Sequence, residues 1–145
     1  MTKKNVKAIT IAVMALIPVF FGPKFLKSMG ISSDNLGAAS IEELYANRQS
    51  GVMVEFEGMV IKVLSDDNDG SRHQRFIVKI SDRHTVLIAH NIDVAPRVPI
   101  QANRNIVIYG QYEWNEKGGV VHWTHADSYG THEGGWIEFQ GRVYQ

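Results

Sequence analysis

The sequence predicts an all-β domain: a small five-stranded Greek-key barrel with a short N-terminal helix, preceded by a hydrophobic signal or anchor segment. Three observations point there. From Val52 onward, apolar residues recur at every second position, the period of a half-buried strand. The first such run is long and interrupted by Gly58, and the longest connection falls between the third and fourth runs. One extended uncharged stretch, Ala8 to Gly22, lies ahead of them all.

That stretch comes after Lys3, Lys4 and Lys7, so it has the basic start and apolar middle of a secretory signal. Its fifteen residues are short for a membrane span, which needs roughly 20, and Pro18 removes a helix hydrogen bond. Pro23, Lys24, Phe25, Leu26 and Lys27 come directly after it and supply no small-x-small cleavage site. Residues 1–27 are therefore expected to be a signal peptide or an uncleaved membrane anchor, both readings staying open. The leading lysines would keep the N-terminus inside and place the domain outside, in the periplasm or another extracytoplasmic space.

Residues 28–39, rich in Ser, Asp, Asn and Gly, are expected to be a linker, and 40–145 the barrel domain. Ser40 and Glu43 fit a capping box that opens a short helix, which Gly51 would end. Val52, Val54 and Phe56 alternate with polar neighbours, and Met59 to Leu64 continue the run, with Gly58 a natural place for a bulge. Asp66, Asp67, Asn68, Asp69 and Gly70 make a turn; the glycine is out of register for an EF-hand calcium loop. The second strand is Gln74 to Ile80, with Phe76, Val78 and Ile80 on one face, and the third is Thr85 to His90. Pro96 and Pro99 make the next connection irregular. The fourth strand is Asn105 to Trp114, Glu116 to Gly119 a hairpin turn, and Val120 to Thr124 the fifth. Trp136 to Phe139 and Arg142 to Tyr144 form a terminal hairpin.

Five strands in this arrangement look like an OB-fold barrel. The chain also carries S-R-H-Q-R-F-I-V at Ser71 to Val78, L-I-A-H-N-I at Leu87 to Ile92 and Y-E-W-N at Tyr112 to Asn115. Further on stand H-W-T-H at His122 to His125 and H-E-G-G-W-I at His132 to Ile137. Through these motifs, roughly residues 50 to 145 resemble an uncharacterised bacterial family of exported domains of unknown function, a resemblance that implies fold and export and no particular chemistry.

Composition narrows the function. The chain has fifteen basic and fifteen acidic side chains, and five of the basic ones are Lys3, Lys4, Lys7, Lys24 and Lys27. The chain beyond Lys27 holds ten basic against fifteen acidic groups, so non-specific nucleic-acid binding is not expected. The absence of cysteine excludes disulfides, thiolate metal sites and cysteine nucleophiles. No Walker loop, G-x-S-x-G, H-E-x-x-H or dinucleotide fingerprint is present.

All six histidines fall between His73 and His132. His122 and His125 tempt as metal ligands, but residues three apart in a strand face opposite ways and lie about 10 Å apart, unless the strand ends between them. The OB-like topology implies a better gathering. It makes the third strand antiparallel to the second and parallel to the fifth, which brings His73, Arg75, His90, Asn91, His125 and Asp127 to one rim. Trp123, flanked by histidines, joins them as a candidate ligand-stacking residue. Such a rim suits an anionic or oligomeric ligand held by imidazoles and the Arg75 fork. It also suits a metal-dependent hydrolase, acting for instance on phosphodiesters, or a structural polar network without a ligand. His132 and Glu133 are expected in a C-terminal turn. The leading expectation is a non-enzymatic binding module for an envelope ligand; an envelope protein-interaction domain is the third class. Partners would be the membrane, if the N-terminal segment is uncleaved, and an unidentified envelope ligand or protein; sequence names no cofactor.

Overall fold

The computed structural model describes residues 33–145. The expected signal or anchor at 1–27 lies outside the described residues, as does the start of the expected linker. Among the described residues, no helix is long and apolar enough to cross a membrane.

The described residues are mostly β, a closed five-stranded barrel with one short helix. Helix α1 spans Ser33–Ala46, and the strands are β1 Val52–Val63, β2 His73–Lys79, β3 Thr85–Asn91, β4 Asn105–Glu113, β5 Val120–His122, β6 Trp136–Phe139 and β7 Arg142–Tyr144. The helix starts at Ser33, seven residues ahead of the capping box at Ser40, so residues 33–39 are helical and not linker. Strand order is β1-β2-β3-β5-β4, and β4 closes the barrel on β1. β2 and β3 are antiparallel from His73↔Asn91 to Lys79↔Thr85, and β3 runs parallel to β5 through Leu87↔Val120 and Ile88↔Val121. This is the order the OB-like reading expects.

β1 closes the barrel by serving two neighbours in succession. Val52 to Met59 pair with β4, and Met59 to Val63 with β2. The register shifts between Val60 and Lys62, so the bulge falls at Ile61 and not at Gly58, where sequence placed it. Gly58 has another duty: a Cβ there would lie 2.7 Å from the Lys79 carbonyl oxygen and collide with Val78. The strands approach closely because that side chain is missing.

The alternation seen in sequence is the inward face. Phe56, Val60, Phe76, Val78, Val86, Ile88, Ile106, Ile108, Tyr112 and Val121 are all buried in one core. Burying such side chains is worth roughly 1.5–3 kcal/mol each, which makes the barrel the dominant source of stability. Each end is closed differently. At one end α1 lays Ile41 and Leu44 into the core, and Trp114 Nε1 donates to the Tyr45 carbonyl at 3.1 Å. At the other end the irregular β3–β4 connection inserts Val98. Gln74 pins it, donating to the Val98 carbonyl at 2.7 Å and accepting from its amide at 3.0 Å.

β4 also holds the terminal hairpin. Its residues 111–113 pair with β5, while 107–109 pair with β6, so β5 and β6 occupy the same edge of β4 one after the other. Between them, a Cβ on Gly110 would lie 2.6 Å from the His122 carbonyl oxygen.

Gly58→Ala should lower unfolding free energy by about 1–3 kcal/mol, the usual cost of forcing atoms into a filled site. Urea denaturation checks this; an unchanged midpoint would show that β1 and β2 can separate without cost.

Candidate functional site

The excursion from β5 to β6 builds the site. β5 ends at His122 because Trp123 takes the left-handed conformation, φ 52°, which bulky residues rarely adopt. The chain returns at Gly135, whose amide donates to the His125 carbonyl at 2.9 Å. A Cβ on Gly135 would collide with the carbonyls of Trp123 and Tyr109, so only glycine lets the two ends of the loop meet. Residues 123–135 thus form a compact loop with joined ends.

The interior of the loop is organised by Asp127. Its carboxylate accepts from the amides of Tyr129 at 3.0 Å and His132 at 2.8 Å, and from the amide and hydroxyl of Thr131. These donors hold its pKa down at about 2, led by the His132 and Tyr129 amides. Asp127 is thus a loop organiser, with one hydrogen bond to Oδ1 and three to Oδ2.

Against this loop, the start of β2 and the end of β3 enclose a cavity of about 480 Å³. Its lining includes His73 and Asn91, paired across β2 and β3, together with His122, Trp123, His125, Asp127 and His132. Of the seven residues expected from sequence, five therefore line one space. The other two do not. Arg75 lies on the outer face of β2, where its Nε donates to the Ser65 carbonyl at 3.0 Å, and it is not among the lining residues.

His90 points the other way, into the barrel, fully buried. Its Nε2 lies 3.0 Å from the Pro96 carbonyl, which can only accept, and its Nδ1 lies 2.9 Å from the Thr124 hydroxyl. The network assigns the neutral Nε2–H tautomer, and burial lowers the pKa. His90 is a structural bolt between β3 and the loop.

Sequence assigned His132 to a C-terminal turn and set His122 aside. The parity objection to His122 with His125 fails because β5 stops between them at Trp123. The indole is sandwiched: His132 stacks on it at 4.1 Å between centroids and His122 at 5.0 Å, while His125 meets His132 edge-on at 5.2 Å. His122 Nε2 also lies 3.5 Å from Glu113, and burial nonetheless lowers its pKa.

The remaining three imidazoles share one pattern. His73 Nδ1 lies 2.8 Å from the Ser71 carbonyl, His125 Nδ1 2.8 Å from that of Ala126, and His132 Nδ1 2.8 Å from that of Glu133. A carbonyl can only accept, so each Nδ1 carries the proton and each Nε2 is left to a ligand or solvent. Each Nε2 is an acceptor when the ring is neutral and a donor when it is protonated. Among the described residues, no three His, Asp or Glu side chains form a group suited to hold one metal ion.

Asp127→Asn should free the loop. Hydrogen exchange at the Thr131 and His132 amides should accelerate at least about tenfold, while Ile88 and Ile108 in the core stay protected. In the unchanged protein, the carboxylate's lowered pKa adds stability that is present above the ordinary value of 3.8 and lost as pH falls through about 2. Equal protection of the loop amides in variant and parent would remove Asp127 from this role.

A family model described as "Protein of unknown function (DUF3465)" matches residues 25–145. None of the curated proteins matches the chain.

Proposed function

Since the chain belongs to that family of unknown function, we propose from its site that it is a non-enzymatic binding module, exported or membrane-tethered, which holds an anionic ligand in the rim cavity. One observation carries this: three imidazoles, one at the start of β2 and two from the 123–135 loop, line one space, each tied through Nδ1 to a backbone carbonyl and so with Nε2 left over. The one carboxylate lining that space, Asp127, is turned into its own loop. Donors therefore outnumber free acceptors once the rings are protonated. Export rests on the uncharged stretch behind Lys3, Lys4 and Lys7.

A second reading, a metal-dependent hydrolase, draws on the same tautomer, since metal-binding histidines also tie their other nitrogen to a carbonyl. Metal analysis of protein purified without an affinity tag separates the two. A stoichiometric transition metal that disappears in His125→Ala would favour the hydrolase; metal-free protein that binds anions would favour the module.

Inorganic phosphate is the simplest probe. Titration followed by NMR should shift the ring resonances of His73, His125 and His132. His125→Ala should weaken binding by about fivefold or more. If phosphate moves none of these resonances, the anion reading is wrong.

A further inference from the structure

Two exposed side chains, one aromatic and one aliphatic, belong to the lining of this cavity. Tyr129 is 88% exposed and Val94 56% exposed, and both belong to the cavity lining. Tyr129 lies in the loop after β5 and Val94 in the connection after β3, so they come from different segments. An exposed ring beside a well of imidazoles offers two kinds of contact in sequence: a face for a ring, then donors for a charge.

We propose that the ligand is an acidic saccharide, a sugar unit bearing one carboxylate or comparable acid, with its ring against Tyr129 and Val94 and its acid directed to the imidazoles. The proposal rests on the anion-binding reading and names its ligand class. Three features of the molecule select a sugar over a flat aromatic anion. Both faces of the Trp123 indole are covered by His122 and His132, so the cavity offers no aromatic slot. Tyr129 is then a one-sided platform, which suits the C–H face of a sugar ring packed on a single aromatic. Asn91, Ser71 and Ser128, residues with amide and hydroxyl side chains, line the same cavity, matching a ligand that is hydroxylated all round.

Charge selects further. Beyond Lys27 the chain holds ten basic and fifteen acidic groups, so a densely charged polyanion is repelled at long range. No Lys or Arg lines the cavity, so attraction is local and imidazole-based. The favoured ligand is a chain with isolated acids, spaced by neutral sugars.

The test uses four probes on the described domain in its full chain: a trisaccharide with one uronic acid unit, its neutral counterpart, a nucleoside monophosphate and inorganic phosphate. The acidic trisaccharide should bind tighter than the neutral one and the nucleotide, and compete with phosphate. Tyr129→Ala should weaken the acidic trisaccharide by about tenfold and leave phosphate unchanged, and Tyr129→Phe should keep affinity within about twofold. At 88% exposure, Tyr129 can be replaced without unfolding the loop. Phosphate binding with no preference for the acidic trisaccharide overturns the saccharide and leaves the anion reading standing. Equal binding of the neutral sugar, a tighter nucleotide, or an unaffected Tyr129→Ala also overturns it. Loss of phosphate binding itself would remove the anion reading on which it rests.

Discussion

The rim of this barrel depends on one backbone constraint, the meeting of Trp123 and Gly135 beside β4. There β4 exchanges one neighbour for another, pairing with β5 at 111–113 and with β6 at 107–109. For the chain to leave and return on the same edge, the residues at the crossing must pack backbone against backbone. Gly110 and Gly135 allow that by having no side chain, and Trp123 turns the chain out of the sheet through a left-handed conformation. Holding a tryptophan there costs of order 1–3 kcal/mol. The surrounding contacts offset it: the indole lies between two imidazoles, and the Thr124 hydroxyl is fixed on buried His90. The strand is cut at the one point that lets His122 and His125 line the same cavity.

A second layer of order comes from electrostatics inside the loop. A carboxylate in a cavity of imidazoles would ordinarily be their partner and would favour cationic or metal ligands. Asp127 is instead engaged by the amides of Tyr129, Thr131 and His132, which hold its pKa down at about 2. The same bonds shape the loop that carries His132 onto the indole. Folding the loop and withdrawing the negative charge are one event. Outside the cavity, surface ion pairs such as Arg72 with Asp93 and Arg97 with Asp66 tie the neighbouring turns together, and exposed pairs of this kind contribute little individually.

How much of this was legible in the sequence depends on the kind of signal each part leaves. Burial on one face leaves alternation, so Phe76 and Val78 were correctly placed together on one face, and the terminal hairpin was found with both its limits. Strand order came from strand number and connection length, and with it the convergence of His73, Asn91, Trp123, His125 and Asp127. The direction of single side chains was less legible: Gln74 and His90 share the inward face through their cross-strand pairing, and His90 continues the alternation of Val86 and Ile88, a phase that its polar side chain obscured. Helix α1 extends to Ser33 although Gly37 and the Ser and Asn residues around it have weak helical propensity. The bulge at Ile61 was displaced from Gly58 because a glycine signals close approach as well as irregular pairing. Least legible was His132. Its part in the site depends on a left-handed tryptophan nine residues earlier and a carboxylate that bends the loop back, neither of which has a periodic trace.

The two ends of the barrel show why residue type alone does not make the rim a site. The helix end also gathers aromatic and imidazole groups: His84 meets Tyr45 edge-on at 4.8 Å and bonds the Gly118 carbonyl at 2.7 Å, Tyr45 stacks on Trp114, and Arg48 lies over that indole at 5.3 Å. Each of those groups closes on another part of the chain, and their work is to seal α1 on the core. At the rim, the Nδ1 atoms of His73, His125 and His132 close on the backbone in the same way, yet each ring keeps its second nitrogen toward a space of about 480 Å³. No fully buried side-chain nitrogen or oxygen among the described residues lacks a partner, so the open nitrogens are ones that solvent reaches. A fold that satisfies its interior this completely leaves its free donors and acceptors where a ligand can meet them. The same composition thus seals one end and opens the other, and the difference is the loop that Trp123 and Gly135 create.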